Sequence, residues 1–240
     1  MIDTPAPGFE DFDIRPGLHG RRKGKKLRAH QSDLCETLLP RIKLDMSQPI
    51  DPAALFPKPM ADLWMEIGFG GGEHLAVDAR DNPQVGFIGC EPFINGVAKL
   101  LTAIETDGLS NVRLHAGDAF DALHALPAGC LGRLNLLYPD PWPKRRQRKR
   151  RFVSDHSVRE FARLLRPGGV FRFASDLDDY TGWTLARVLP SPFFTWSAER
   201  AQDWVTPWPG FTRTRYEEKA IREGRTTSYL TFVRTDISVG

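Results

Sequence analysis

From residue 63 to residue 189 short apolar runs alternate with segments of helical spacing, and few folds accept that order. The apolar runs fall at 63–68, 85–91, 112–116, 131–138 and 170–174. Helical spacing occupies 72–80, 95–105, 119–126, 154–165 and 179–189, with Ser154 as an N-cap and Pro167, Gly168 and Gly169 as a stop. A strand that returns parallel to its neighbour needs a crossover, and a helix provides one. The pattern predicts an α/β fold with a mostly parallel sheet and helices on both faces. Two more runs, 193–197 and 226–234, bring the strands to seven. They lie close in sequence, so one is expected to run antiparallel at the far side of the sheet.

Residues 1–30 are rich in Pro, Gly and charge and read as a flexible arm. Residues 31–45 have the spacing of a short amphipathic helix broken at Pro40, and 47–60, with four prolines, read as a linker. The chain is thus expected to divide into a leading segment, 1–60, and one α/β domain, 61–240. The net charge of +3 hides an uneven distribution: six basic residues fall within 21–28 and seven within 144–151. Taken out of the 33 Lys+Arg, those thirteen leave twenty against 30 Asp+Glu, an acidic body with two cationic stretches, as expected of a polyanion-binding face. Cys35, Cys90 and Cys130 stand far apart and match neither a disulfide framework nor a metal-ligand spacing. The histidines are scattered, and His74 and His156 read as surface or capping residues. An apolar leader and a bilayer-length apolar run are both missing from the sequence, so a soluble, cytoplasmic protein is expected, without metal or membrane.

The sharpest local feature follows the fourth apolar run: Tyr138, Pro139, Asp140, Pro141, Trp142, Pro143, Lys144, then Arg145, Arg146, Gln147, Arg148, Lys149, Arg150 and Arg151. Prolines on each side of Asp140 restrict the backbone, so the carboxylate is offered in one direction at a strand end. The basic run beside it fits phosphate. Trp142 suits either stacking on a base or packing.

The first apolar run ends in Glu66, Ile67, Gly68, Phe69, Gly70, Gly71, Gly72, Glu73 and His74. Glycines at alternate positions allow a tight strand-to-helix turn and close approach of a ligand. Glu73 would face a pyrophosphate badly, which favours a cofactor without phosphates. Glu91 ends the second run, where a carboxylate can accept from both hydroxyls of a ribose. Asp118 follows the third, where it can accept from the exocyclic amine of an adenine. Each acid alone is as well explained as a helix cap or a solvated loop residue. Four acids at four consecutive strand ends, Glu66, Glu91, Asp118 and Asp140, describe one crevice suited to S-adenosylmethionine.

These pieces, with Gly117, Ser175-Asp176 and Thr214, Arg215, Tyr216 and Glu217, resemble the bacterial tRNA (guanine-N7-)-methyltransferases, and the resemblance spans nearly the whole chain. It implies a Rossmann-like class I methyltransferase, monomer or homodimer, that moves a methyl group from S-adenosylmethionine to N7 of guanine 46 in the tRNA variable loop. It assigns Glu66, Gly68, Gly70, Gly72, Glu91, Asp118 and Asp140 to the cofactor and Asp140 to catalysis. Lys144, Asp176, Thr214, Arg215, Tyr216 and Glu217 fall to the substrate nucleotide, and Arg146, Gln147, Arg148, Lys149, Arg150 and Arg151 to RNA. Gln147 stands where the family commonly has His, and Ser175 where Thr is usual. The rival readings are an amino-group methyltransferase, with an acid before a Pro-aromatic turn, a non-catalytic RNA-binding protein on the same fold, and a nicotinamide-dependent oxidoreductase, against which Glu73 and the lack of a catalytic Tyr-Lys or His pair argue.

Overall fold

The computed structural model describes Gly20 and residues 22–239. Strands β1 (Asp62–Ile67), β2 (Val85–Cys90), β3 (Val112–His115), β4 (Leu131–Leu137), β5 (Leu165–Ser175), β6 (Phe194–Trp196) and β7 (Ser228–Arg234) form one sheet in the order β3-β2-β1-β4-β5-β7-β6. The helices are α1 (Ala29–Thr37), α2 (Leu39–Ile42), α3 (Glu73–Asp81), α4 (Ile94–Asp107), α5 (Ala119–Ala125), α6 (Asp155–Leu164), α7 (Asp178–Val188), α8 (Gln202–Val205) and α9 (Arg215–Arg222). Strands β1 to β5 are mutually parallel, and β7 runs antiparallel to both its neighbours. The antiparallel strand is not the edge: β7 is inserted between β5 and β6. From β1 the chain winds one way to β2 and β3, and from β4 the other way to β5. The reversal between β1 and β4 opens a crevice beyond their carboxyl ends.

Strand parity sorts the core. Leu63, Met65 and Ile67 of β1 pack with Leu123, Phe161 and Tyr180 from α5, α6 and α7, whereas Trp64 turns to the α1, α3 and α4 side, against Leu34, Leu75 and Leu101. Each such aliphatic or aromatic side chain contributes roughly 1.5–3 kcal/mol by leaving water. Ile50 and Phe56, from the Pro-rich stretch read as a linker, are buried in the same core, as is Leu44 just before it, and Pro52–Ala54 forms a 3₁₀ turn. The arm read as ending at residue 30 passes into α1 at Ala29; residues 1–19 and 21 lie outside the described part.

Two boundaries differ from expectation. Ser154 caps α6, accepting from Ser157 N–H, but α6 ends at Leu164. Pro167, Gly168 and Gly169 lie inside β5, where the ladder to β4 shifts register between Leu131 and Arg133. Residues 198–225 carry α8 and α9, where the sequence pattern predicts no element.

The α3 side of the sheet carries a polar row. Glu66, Asn135, Arg172 and Thr231 are successive Cα partners across β1, β4, β5 and β7. Trp208 lies over this row, its indole N–H donating to Thr231 Oγ1 at 2.7 Å and its ring 5.0 Å from the Arg172 guanidinium carbon. Burial lowers the Arg172 pKa to about 10. His74, expected at the surface, is buried here. Its Nδ1 lies 2.7 Å from Glu66 Oε2, and Arg133, paired with Asp78, stacks 3.4 Å from the Trp64 ring centroid. A buried carboxylate needs such a partner, which is why an apparently free helix histidine turns inward.

Candidate active site at the carboxyl ends of the strands

The crevice at the β1/β4 reversal is a cavity of about 430 Å³. One wall is the glycine turn between β1 and α3, where Gly68, Gly70 and Gly72 all have positive φ, at +71°, +58° and +76°. Only glycine adopts this left-handed backbone at little cost. Helix α4 seals the turn from behind. A Cβ on Gly96 would lie 2.0 Å from the Gly70 carbonyl oxygen, so the close approach requires glycine at Gly96 as well. Sequence reasoning misses that residue; a glycine in the first turn of a helical pattern is its only signal.

Glu91, Asp118 and Asp140 all line this cavity. Glu91 is buried, and its oxygens accept the Gly70 N–H at 2.7 Å and the Phe93 N–H at 2.9 Å. Burial pushes its carboxyl above the ordinary value and the Asp140 charge adds to this, against the two amides and the Arg215 guanidinium. Asp118 caps α5 through Oδ1, which accepts from Phe120 N–H at 3.1 Å, so the capping role and the cavity role coexist. The apolar side of the cavity is Ile67, Leu136, Phe120 and Phe152, the two phenylalanines stacked 4.9 Å apart. Such a surface takes a flat ring.

Asp140 sits on the exposed rim, and desolvation within the cavity raises its carboxyl. Each non-proline residue from Tyr138 to Trp142 precedes a proline, which disfavours the ordinary helical backbone. Tyr138 and Trp142 resolve the conflict with φ of +49° and +41°. Left-handed backbone in bulky residues costs about 1–3 kcal/mol each and persists where surrounding structure imposes it. Arg151 ties down the centre of this loop. Its Nε donates to the Pro141 carbonyl at 2.9 Å, its other nitrogens reach Asp179, and its guanidinium lies against Tyr180 and Trp183. At 2% exposure, Arg151 is a clamp on the acidic loop, which corrects its assignment to RNA.

The rest of the basic run forms a 3₁₀ turn, Arg145–Arg150. Lys144, Arg145, Arg146 and Lys149 are exposed, Gln147, Arg148 and Arg150 are half-buried, and Arg148 pairs with Asp179 at 2.7 Å. Arg150 lines the cavity, 5.0 Å from the Trp142 ring centroid.

Other assigned residues stand back from the cavity. Glu66 is on the α3 side with His74, and Gly72 begins α3 beneath Leu100. Asp176 pairs with Arg225 at 2.7 Å. Thr214 caps α9, accepting from Glu217 N–H at 3.2 Å, and the Glu217 carboxylate is buried and accepts the Tyr229 hydroxyl. These two residues anchor α9 on β7, and the residues between them, Arg215 and Tyr216, reach the cavity rim beside Gly70.

Comparison with known proteins identifies the family. The family model described as "Putative methyltransferase" matches residues 60–230. A tRNA (guanine-N(7)-)-methyltransferase of Nitrobacter hamburgensis is 55% identical over 234 residues, covering 97% of this chain and 91% of the relative. This chain belongs to the tRNA (guanine-N(7)-)-methyltransferase family. A second relative in that family, from Rhodopseudomonas palustris, is 53% identical over 243 residues, covering 97% and 92%. Among solved structures, the 16S rRNA methyltransferase KamB matches with a TM-score of 0.54 at 19% identity, over 74% of this chain and 89% of that one. That likeness concerns the fold alone, and it places the family's sheet among methyltransferase folds.

Proposed function

We propose that this protein methylates N7 of a guanine in tRNA, that S-adenosylmethionine is the donor, and that the target is guanine 46 of the variable loop. Family membership supports the reaction and the tRNA substrate. The position rests on the resemblance read from the sequence. The observation that carries the cofactor is the gathering of Glu91, Asp118 and Asp140 around a glycine turn with a stacked phenylalanine wall. This donor set fits the cofactor: a ribose at Glu91 and an adenine between Asp118 and the phenylalanines.

When bound, the cofactor supplies a methyl group on a sulfonium. Guanine N7 has an in-plane lone pair and no proton, so no general base is required. A donor held by Glu91, Asp118 and the phenylalanine wall would give its methyl group to N7 and leave as a neutral thioether, so the base would take up the positive charge. The protein has to align the two and hold a negative charge where the cation develops. Asp140, held in one orientation by its prolines and the Arg151 clamp, provides that charge. Exposed Lys144, Arg145, Arg146 and Lys149, on the loop that carries Asp140, offer contacts to the phosphates.

The test is incubation with labelled S-adenosylmethionine and unmodified tRNA, followed by nucleoside analysis. Label in 7-methylguanosine, lost when guanine 46 is replaced, is the expected result. Label on an exocyclic amine would favour the amino-group reading, and no transfer despite tRNA binding the non-catalytic one.

A further inference from the structure

We propose that Arg215 binds the carboxylate of the cofactor's amino-acid tail, and is not a contact to the target guanine; this rests on the S-adenosylmethionine reading above. That tail is a zwitterion. Glu91, Asp118 and Asp140 provide acceptors for its ammonium, and for the ribose and adenine, but its carboxylate needs a cation. Among the described residues only two cationic side chains line the cavity, Arg150 and Arg215. Arg150 stands with Phe152 and Trp142, on the wall that suits a ring. Arg215 stands at the opposite end. A Cβ on Gly70 would lie 3.8 Å from Arg215 Nη2 and 3.5 Å from Tyr216 Cε2, so the guanidinium overhangs the middle of the glycine turn.

The position along the ligand is fixed by Glu91. Its carboxylate is tied to the Gly70 amide, so a ribose held by Glu91 has its neighbouring atoms at that turn. A tail leaving the ribose along the turn arrives under Arg215. The guanidinium is available: it lies 5.2 Å from the Tyr216 ring centroid and has no carboxylate partner among the described residues. It also acts on Glu91 through space, opposing the rise of that carboxyl. Its placement is enforced from behind by the Thr214 cap and the Glu217–Tyr229 hydrogen bond. A planar guanidinium meets a carboxylate with two parallel hydrogen bonds, which lysine cannot reproduce.

The discriminating pair of ligands is S-adenosylhomocysteine, which keeps the tail, and 5′-methylthioadenosine, which keeps the nucleoside and the sulfur but has no carboxylate. Calorimetry on the full-length protein is expected to show Arg215→Gln weakening S-adenosylhomocysteine about tenfold or more, equivalent to about 1.4 kcal/mol, with methylthioadenosine affinity unchanged. Arg215→Lys should recover part of the loss. Affinity for tRNA without cofactor should stay within about twofold. Equal losses for both ligands would mean that Arg215 only shapes the turn, and would overturn the proposal. So would unchanged S-adenosylhomocysteine affinity with weakened tRNA binding. A wild-type protein that binds neither ligand would overturn the cofactor reading itself, and this inference with it.

Discussion

The Gly70 amide donates to Glu91 Oε2 across 2.7 Å, and through that bond the turn after β1 and the acid after β2 become one unit. The second Glu91 oxygen holds the Phe93 amide at the start of α4. One side chain therefore joins three segments of the cavity wall.

Glu91 gives cofactor binding a pH dependence of defined sign. The carboxylate must be ionised to accept from two amides and from ribose hydroxyls. Burial, with the Asp140 charge, raises its pKa, so protonation begins above the ordinary carboxylate range. Affinity for S-adenosylmethionine is expected to be full at neutral pH and to fall as pH drops through that raised value, because the bound state binds fewer protons. Glu91→Ala should cost about 1.5–3 kcal/mol of cofactor affinity at neutral pH and leave only the shallower dependence that Asp140, also raised, contributes. Calorimetry across the acid range checks both; a flat wild-type profile would remove Glu91 from the site.

Gly96→Ala is expected to damage the cofactor site from behind. The new methyl group would meet the Gly70 carbonyl oxygen at 2.0 Å, backbone that cannot rotate away. Overpacking of this kind costs roughly 1–3 kcal/mol, and the strain falls on the glycine turn. Cofactor affinity should drop while tRNA affinity stays near wild type. Retained cofactor affinity, with only a lowered Tm, would show that the turn adapts.

Asp140→Asn keeps the shape of the loop and removes its charge. Loss of a preorganised charge next to a forming cation is worth on the order of 2–4 kcal/mol, roughly a 30- to 1000-fold fall in kcat. Single-turnover methyl transfer with both ligands saturating is the measurement. A rate within a few-fold of wild type would take Asp140 out of the chemistry.

The basic run should split into two behaviours. Neutralising exposed Arg145, Arg146 and Lys149 is expected to weaken tRNA binding and flatten the plot of log affinity against log salt. The slope should change by about 0.7–0.9 for each phosphate that no longer meets a cation. Arg151→Ala should leave that slope alone, lower stability by on the order of 3 kcal/mol and abolish activity, because it frees Pro141 and strips a buried guanidinium from Tyr180 and Trp183. Salt-series titrations and thermal melts separate the two groups. A salt slope altered equally by both would return Arg151 to the RNA surface.

Most strands were readable because a parallel strand buried on both faces is a run of apolar residues, as in Val85–Cys90 and Leu131–Leu137. The position of β7 was not, since nothing in Ser228–Arg234 says which neighbours it takes. Helix α9 was missed because only Ala220 and Glu217 are buried in an otherwise charged stretch. Glu91, Asp118 and Asp140 line one cavity, and their places at strand ends are what brings them together. Glu66 has the same place in sequence but faces the other side of the sheet, where His74 holds it. Arg151 could not be told from its basic neighbours because exposure is a property of the fold and not of the residue type.

The place of β7 gives the protein an order of assembly. Strand β6 has only β7 beside it, and β7 follows every other strand of the sheet in the sequence. On the ribosome, domains gain structure from the N-terminus onward. Here β6 has no partner in the sheet until β7 is made, and with it waits the anchor that seats α9 over the cavity. A nascent chain stopped short of residue 228 would carry the glycine turn and the acids with no Tyr229 to hold the rim. Any product that stops before β7 therefore carries the cavity wall without the strand that seats Arg215 and Tyr216 over it.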